Sequence, residues 1–397
     1  MFKKRGQPEN FFTNHKLWMG VTTLIGTIVG AGILGIPYVI SQSGFLVGSI
    51  IIILLGVSLL FLNLLTGEIV LRTKKQHQLT GYAERYLGRW GKRLMAFSLM
   101  FSIYGALTAY LIGEGETLKA IFGFLNFGTP LFYSLVFFSI AFLIVYKGIK
   151  AAGKMELILI ISLLLIIILI GVFSFEQVKV ENLTTINLAK FFIPYGVIFF
   201  ALMGSPAIPE VQEVLENKKQ KIRKVIILGS IIPIVLYILF ALFVLGIVGL
   251  DNFNSLQPNE RIATIALSIF SSPILGMFAN IVAVLAMFTS FLTLGIALVE
   301  MYEFDYHLSR RKALLLAFSL PLIITLFKLS TFIAVIATTG AIAGGFEGIL
   351  ILLMYQKVKK LGDRTPEYSI NTSKYFSYFL ILLFGLGIVY QIFINLF

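Results

Sequence analysis

The stretch GTIVGAGILGIP, Gly26 to Pro37, lies inside the first long apolar segment of the chain and governs how the rest is read. Four glycines (Gly26, Gly30, Gly32, Gly35) and a proline packed this closely do not sustain a continuous helix. An interior Gly costs about 1 kcal/mol relative to Ala, and Pro removes a backbone donor. Inside a bilayer, freed N–H and C=O groups persist only where protein or a water-filled cavity satisfies them. An interrupted membrane helix is therefore expected to mark a binding site. Its amides would face a carboxylate, and its carbonyls a cation or an ammonium group. The competing reading is that these glycines serve only to let helices approach closely.

Composition places this stretch in a membrane. Of 397 residues, 58% are hydrophobic and 13% are charged, whereas soluble domains carry about 25% charge. The absence of cysteine excludes disulfides, thiolate metal sites and cysteine nucleophiles. His15, His77 and His307 fall in polar connections, which excludes a buried imidazole relay. The polar start MFKKRGQPEN, followed by apolar span after span, argues against a cleaved signal peptide.

Eleven apolar spans are expected, at about 17–40, 44–71, 93–113, 129–146, 155–175, 189–208, 224–249, 274–299, 313–329, 331–354 and 375–396. With the N-terminus inside, 27 of the 32 Lys and Arg residues fall on the inner side. The asymmetry predicts a cytoplasmic N-terminus and an external C-terminus in the plasma membrane. It also explains the net charge of +13 without nucleic acid. No connection is long enough for a soluble head, so 1–397 is read as one all-α polytopic domain. An amphipathic GYAERYLGRW piece is expected on the inner side, and a short helix within Asn259–Phe270 over the outer mouth.

Span six carries a second interruption, FFALMGSPAIPEVQE, Phe199 to Glu213. There Gly204, Pro206 and Pro209 should unwind a helix around 204–209. The two breaks lie five spans apart, an odd number, so their helices cross in opposite directions. Paired breaks in oppositely oriented halves predict an inverted-repeat transporter with a midplane site. The halves are about 17–175 and 189–354, five spans each with helices one and six broken, and 375–396 is an additional helix.

GTIVGAGILGIPYVISQSGF resembles the opening helix of the amino acid/auxin permeases and of the aromatic and hydroxy amino acid permeases, two branches of the amino acid–polyamine–organocation superfamily. PAIPEVQEVL with KKQKIRKVIILGSIIPIVLY is similar to their sixth helix, inner loop and seventh helix. TSFLTLGIALVEMYEFDY resembles the eighth helix of the aromatic permeases, and YLIGEG the end of their third. The resemblance implies a LeuT-type five-plus-five fold working by alternating access. It implies that the substrate carboxylate meets amides at Ala31, Gly32 and Ile33, and the ammonium meets carbonyls near Phe200, Ala201 and Met203, with Gly30, Phe199 and Gly204 also at the substrate site. Glu213 matches an acidic position after the sixth-helix break; its other reading is an inner-mouth carboxylate beside Lys218, Lys219 and Lys221.

In sodium-coupled members of that fold, a cation sits between helix-one carbonyls and eighth-helix oxygens. The matching positions here are Gly26, Val29, Ala286, Thr289 and Ser290. Five uncharged oxygens suit a monovalent cation. Thr and Ser in membrane helices also bond the i−4 carbonyl without any ion. The fifth-helix lysine of some proton-coupled relatives is missing near Ser162–Leu163 when Gly148, Lys150, Gly153 and Glu156 are aligned. Glu114, Glu116 and Glu347 are the possible proton carriers; Glu114 and Glu116 also read as vestibule residues. Glu68, four residues before Arg72, reads as an exposed helix-surface pair.

Neither break holds a charged side chain, which predicts a neutral amino acid, aromatic or branched, imported with Na+ or, alternatively, with H+. Phe101, Tyr104, Thr108, Phe199, Phe200, Met287 and Phe291 are the candidate pocket side chains. No organic cofactor is expected, and the expected partners are the amino acid and lipid, with the chain acting as a monomer. A non-transporting amino acid sensor is a rival. A lipid enzyme would need a catalytic cluster that the sequence does not offer.

Overall fold

Runs of Leu, Ile, Val and Phe build helices wherever glycine and proline do not interrupt them. The computed structural model describes residues 11–147, 153–304 and 306–396, and among these all regular structure is helical. Helices α1 (Phe11–Ile28) and α2 (Ile36–Ser43) flank a 3-10 turn at Ala31–Gly35. Then come α3 (Phe45–Leu71) and α4 (Leu79–Phe122), which changes direction at Gly88 (φ 78°), inside the expected amphipathic piece and ahead of its apolar length. After α5 (Pro130–Tyr146) and α6 (Gly153–Phe173), α7 (Tyr195–Leu202) and α8 (Ile208–Leu215) flank the second interruption. The long α9 (Ile222–Ser255) turns at Gly249 (φ 76°). The expected short helix is α10 (Ala263–Phe270), beginning four residues later than its predicted segment. It is followed by α11 (Pro273–Phe304) and α12 (Arg310–Leu326). A π-helical turn over Gly340–Gly344 joins α13 (Phe332–Thr339) to α14 (Gly345–Leu361), and α15 (Lys374–Leu396) comes last.

Among the described residues, seven helical stretches are long and apolar enough to cross a membrane. The bent pair His15–Ile28 and Ala31–Ser43, at 45°, makes an eighth. The chain is thus a multi-pass membrane protein. The other three expected spans correspond to α5, α6 and α12, of which α5 and α12 have 17 residues each. Gly148 and Lys150, which anchor the fifth-helix alignment, lie outside the described residues, as do Lys3, Lys4 and Arg5. Two helices organise the interior. α9 packs on α1, α2 and α3, while α4 packs on α5, α11, α13 and α14. The short α7 lies between them, touching the 31–35 turn on one side and the π turn on the other.

Glu68 departs from its expected place. The pair with Arg72 exists, Nε to Oε1 at 2.7 Å, but Glu68 is fully buried rather than exposed. The segment after α14 folds across the end of α3 and buries it. Ser369 Oγ (2.8 Å), the Ile370 amide (2.7 Å) and Tyr355 Oη (3.0 Å) all donate to the same carboxylate. Arg364 donates to the Leu71 carbonyl (2.7 Å) and Tyr368 to that of Leu64 (2.6 Å), meeting acceptors near a helix end. The Lys74 amide and Arg85 hold the Asp363 carboxyl below the usual carboxylate range. Glu68→Ala strands Arg72 and three further donors, so detergent-solubilised protein should lose about 3–5 kcal/mol in thermal unfolding. A loss under about 1 kcal/mol, the size of a surface pair, would show that this cluster is not cohesive.

Candidate substrate site between two interrupted helices

At the first break, α1 ends at Ile28. The Val29 amide donates to Ile25 O (2.7 Å) and the Gly30 amide to Ile28 O (3.1 Å). Ala31 to Gly35 are buried, and Pro37 sits in the first turn of α2, where a missing N–H costs nothing. At the second break, Met203 is extended (φ −70°, ψ 120°) after α7, and a 3-10 turn at Ser205–Ala207 leads into α8 with Pro209 in its first turn.

The structure brings the two breaks into contact. A Cβ on Gly32 would lie 2.7 Å from Ala201 Cα and 3.1 Å from the Phe200 ring, so only glycine allows this approach. Gly204 packs in the same way on Leu24 and Ile28. One side chain joins both breaks. Tyr237 of α9 is wholly buried, and its hydroxyl lies 2.9 Å from Ile28 O and 2.9 Å from Ala201 O. Tyr110 of α4 completes the surround, with its hydroxyl 3.5 Å from where a Gly30 Cβ would stand. Neither tyrosine was singled out in the sequence. A lone Tyr in an apolar run is indistinguishable from the other 15 until the fold shows what it faces.

The remaining candidates spread over several places. Phe200 stands at the breaks, against Gly32 and Gly340. Phe199, on the other side of α7, packs on Tyr195 (5.7 Å) and Phe384 (5.3 Å). Met203 sulfur comes close to Gly344 of the π turn. Tyr104 turns to α11 and α12, bonding Tyr302 Oη (2.8 Å) and Leu316 O (2.9 Å); Thr108 donates to the Tyr104 carbonyl, and Phe101 packs on Phe97. Met287 meets Gly113, and Phe291 joins Phe137 and Phe318.

Thr289 Oγ1 donates within its own helix, to Leu285 O (3.2 Å) and Ala286 O (3.1 Å), the bonding that hydroxyl side chains of membrane helices make without any ion. Ser290 and Gly26 are half-buried, and Val29 is buried. α11 meets the first break at its 31–35 turn, whereas α1 packs mainly on α8 and α9. Glu114 and Glu347 are both buried, and none of their four carboxylate oxygens has a partner among the described residues. Ser205 of the second break is the polar neighbour of Glu347. Glu116 accepts from Asn259 Nδ2 (3.1 Å), whose Oδ1 accepts from the Phe332 amide at the start of α13 (3.0 Å).

Both faces over the breaks are tied. Toward one, Arg261 donates to Tyr38 Oη (3.1 Å) and lies over its ring, while Gln42 bonds Asn254 and accepts from Lys190. Toward the other, Lys16 pairs with Glu216 between α1 and α8, which holds the Glu216 carboxyl low. Beside Ile33 and Leu34 lies an apolar cavity of about 20 Å³, too small for an amino acid. Larger cavities of about 470 and 440 Å³ lie near Glu116 and Glu260.

The sequence pattern of the tryptophan/tyrosine permease family matches residues 13–392. The chain is 26% identical over 367 residues to the tyrosine-specific transport system 1 protein of Haemophilus influenzae, covering 88% of this chain and 90% of that one. It is 26% identical over 202 residues to glutamine transporter 2 of Aliivibrio fischeri, a match spanning 50% of this chain and 52% of that protein. Among solved structures, it shares the fold of MhsT, crystallised with L-phenylalanine, at a TM-score of 0.68 and 16% identity over 98% of this chain and 99% of that one.

The contact at Gly32 yields a direct test. Gly32→Ala forces backbone against backbone and should cost about 1–3 kcal/mol in thermal unfolding. Gly385→Ala in α15, with nothing within 4 Å of the new methyl, should be neutral or stabilising. Equal effects at the two positions would mean that the breaks do not touch.

Proposed function

The chain belongs to the tryptophan/tyrosine permease family, and we propose that it imports a neutral amino acid by alternating access across the plasma membrane. The observation that carries this reading is the meeting of two interrupted helices at one buried place, with carbonyls of both converging on a single hydroxyl. A zwitterion needs amides at one end and carbonyls at the other, and broken membrane helices supply both. The breaks are closed in this conformation, so entry requires movement of one group of helices against another. We read the chain as eleven spans, five plus five inverted and one additional, with the N-terminus cytoplasmic and the C-terminus outside. The protein is read as a monomer. The names of the family and of the tyrosine-transport relative favour an aromatic substrate.

A zwitterion carries no net charge, so the membrane potential drives it only with a companion ion. One cation crossing 100 mV supplies about 2.3 kcal/mol, and a tenfold gradient adds about 1.4 kcal/mol. For the companion ion we propose sodium, held by Gly26, Val29, Ala286, Thr289 and Ser290, a reading that rests on the resemblance to sodium-coupled members of the fold and on the uncharged oxygens these residues offer. A second reading, proton coupling, is favoured by the unpartnered carboxyls of Glu114 and Glu347.

The deciding experiment is uptake of labelled L-tyrosine, L-tryptophan, L-phenylalanine, L-leucine and L-glutamine into proteoliposomes under separate sodium and proton gradients. Sodium-driven uptake of at least one, reduced about tenfold or more in Thr289→Ala, is the expected result, that factor being the loss of one charge-assisted oxygen contact. Uptake driven only by protons and abolished in Glu347→Gln or Glu114→Gln moves the coupling to the carboxyls. Binding without uptake under either gradient refutes transport and leaves a sensor.

A further inference from the structure

Two buried carbonyls, from different interrupted helices, share one donor. Tyr237 Oη is 2.9 Å from Ile28 O, the last residue of α1, and 2.9 Å from Ala201 O, near the end of α7. The hydroxyl has a single proton, so at any instant it satisfies one carbonyl fully and the other by proximity alone. Ile28 O has a further donor in the Gly30 amide at 3.1 Å. Ala201 O is therefore the acceptor with capacity to spare, and it belongs to the residue whose Cα and Cβ meet Gly32 where the two breaks touch. No ionised side chain of either break competes for it. Tyr237 itself is fully buried on α9, the helix that packs on α1, α2 and α3 and also reaches α7.

We propose that Tyr237 is a positioning residue for the substrate's ammonium group. Its hydroxyl ties the two interrupted helices together and aims the Ala201 carbonyl. When an ammonium docks on Ala201 O, the hydroxyl proton turns to Ile28 O, so one substrate group is felt at both breaks. This proposal rests on the transport reading for its ligand, but the tie between the breaks does not.

Tyr237→Phe removes the hydroxyl and keeps the ring in place. Two measurements on the full-length variant test the proposal. In amide hydrogen exchange without ligand, residues 29–33 and 203–207 should both exchange faster than in the wild type. Acceleration at one segment alone, or at neither, overturns the tie. In binding assays, L-tyrosine is compared with its des-amino analogue 3-(4-hydroxyphenyl)propionate. The variant should lose about tenfold or more in affinity for the amino acid, the size of one charge-assisted hydrogen bond, and less than about threefold for the analogue. An unchanged ratio between the two ligands, whether both weaken or neither does, overturns the ammonium role. A general structural weakening would lower both alike. If the wild type binds none of the amino acids used for uptake, the transport reading and the ammonium role fall together, while the exchange data still decide whether Tyr237 joins the breaks.

Discussion

A backbone carbonyl deep in a membrane protein must meet a donor, and two helices of this chain end where no water is at hand. Much of the architecture around them answers that need. Glycines at 32 and 204 let one chain segment lie against another, so that a small space holds both helix ends. The first turns beyond the breaks tighten to 3-10 geometry, which recovers some of the lost hydrogen bonds within the chain itself. What local turns leave over falls to Tyr237, delivered from α9 because that helix runs beside both α1 and α7. Removing the interruptions would remove the reason for each of these features.

The ties over the two breaks differ in strength, and the difference indicates what can move. Lys16 and Glu216 have side chains 30% and 63% exposed, a pair worth little in water and easily parted. It links α1 to α8, the two half-helices that reach the same face. The Glu68 carboxylate on that face is fully buried and draws donors from the end of α3, from α14 and from the connection to α15. Breaking it would strand a carboxylate and a guanidinium together, at a cost of several kcal/mol. Motion is thus cheap at the half-helices and expensive at the frame that holds them. The alternating access proposed above would need that distribution.

Glycine and proline are legible in a sequence because their backbone effects do not depend on neighbours. Both interruptions therefore fall where Gly26 to Pro37 and Gly204 to Pro209 place them, and the long apolar helices follow from composition. Partners are another matter. Glu68 and Arg72 show their i,i+4 spacing in the sequence, but the burial comes from Ser369 and Ile370, some three hundred positions away. The hydroxyl of Tyr237 looks like any other among many aromatics until α9 is seen between the breaks. The candidate side chains scatter for the same reason: Tyr104 and Phe200 both belong to helices at the site, yet Tyr104 faces α12 and Phe200 faces Gly32. A helical run announces that it is buried, but not which neighbour each face meets when it is apolar all round.

A cradle built from main chain has a consequence for specificity. On the transport reading proposed above, amides and carbonyls at the breaks would address the ammonium and carboxylate that all α-amino acids share, without a charged residue that would demand a charged substrate. Discrimination among side chains would then fall to the groups that ring the breaks, among them Phe200 beside Gly32 and Tyr110 beside Gly30. A hydroxyl-bearing site that bonds a substrate hydroxyl or amide rejects analogues lacking it far more strongly than an apolar pocket rejects a missing methylene.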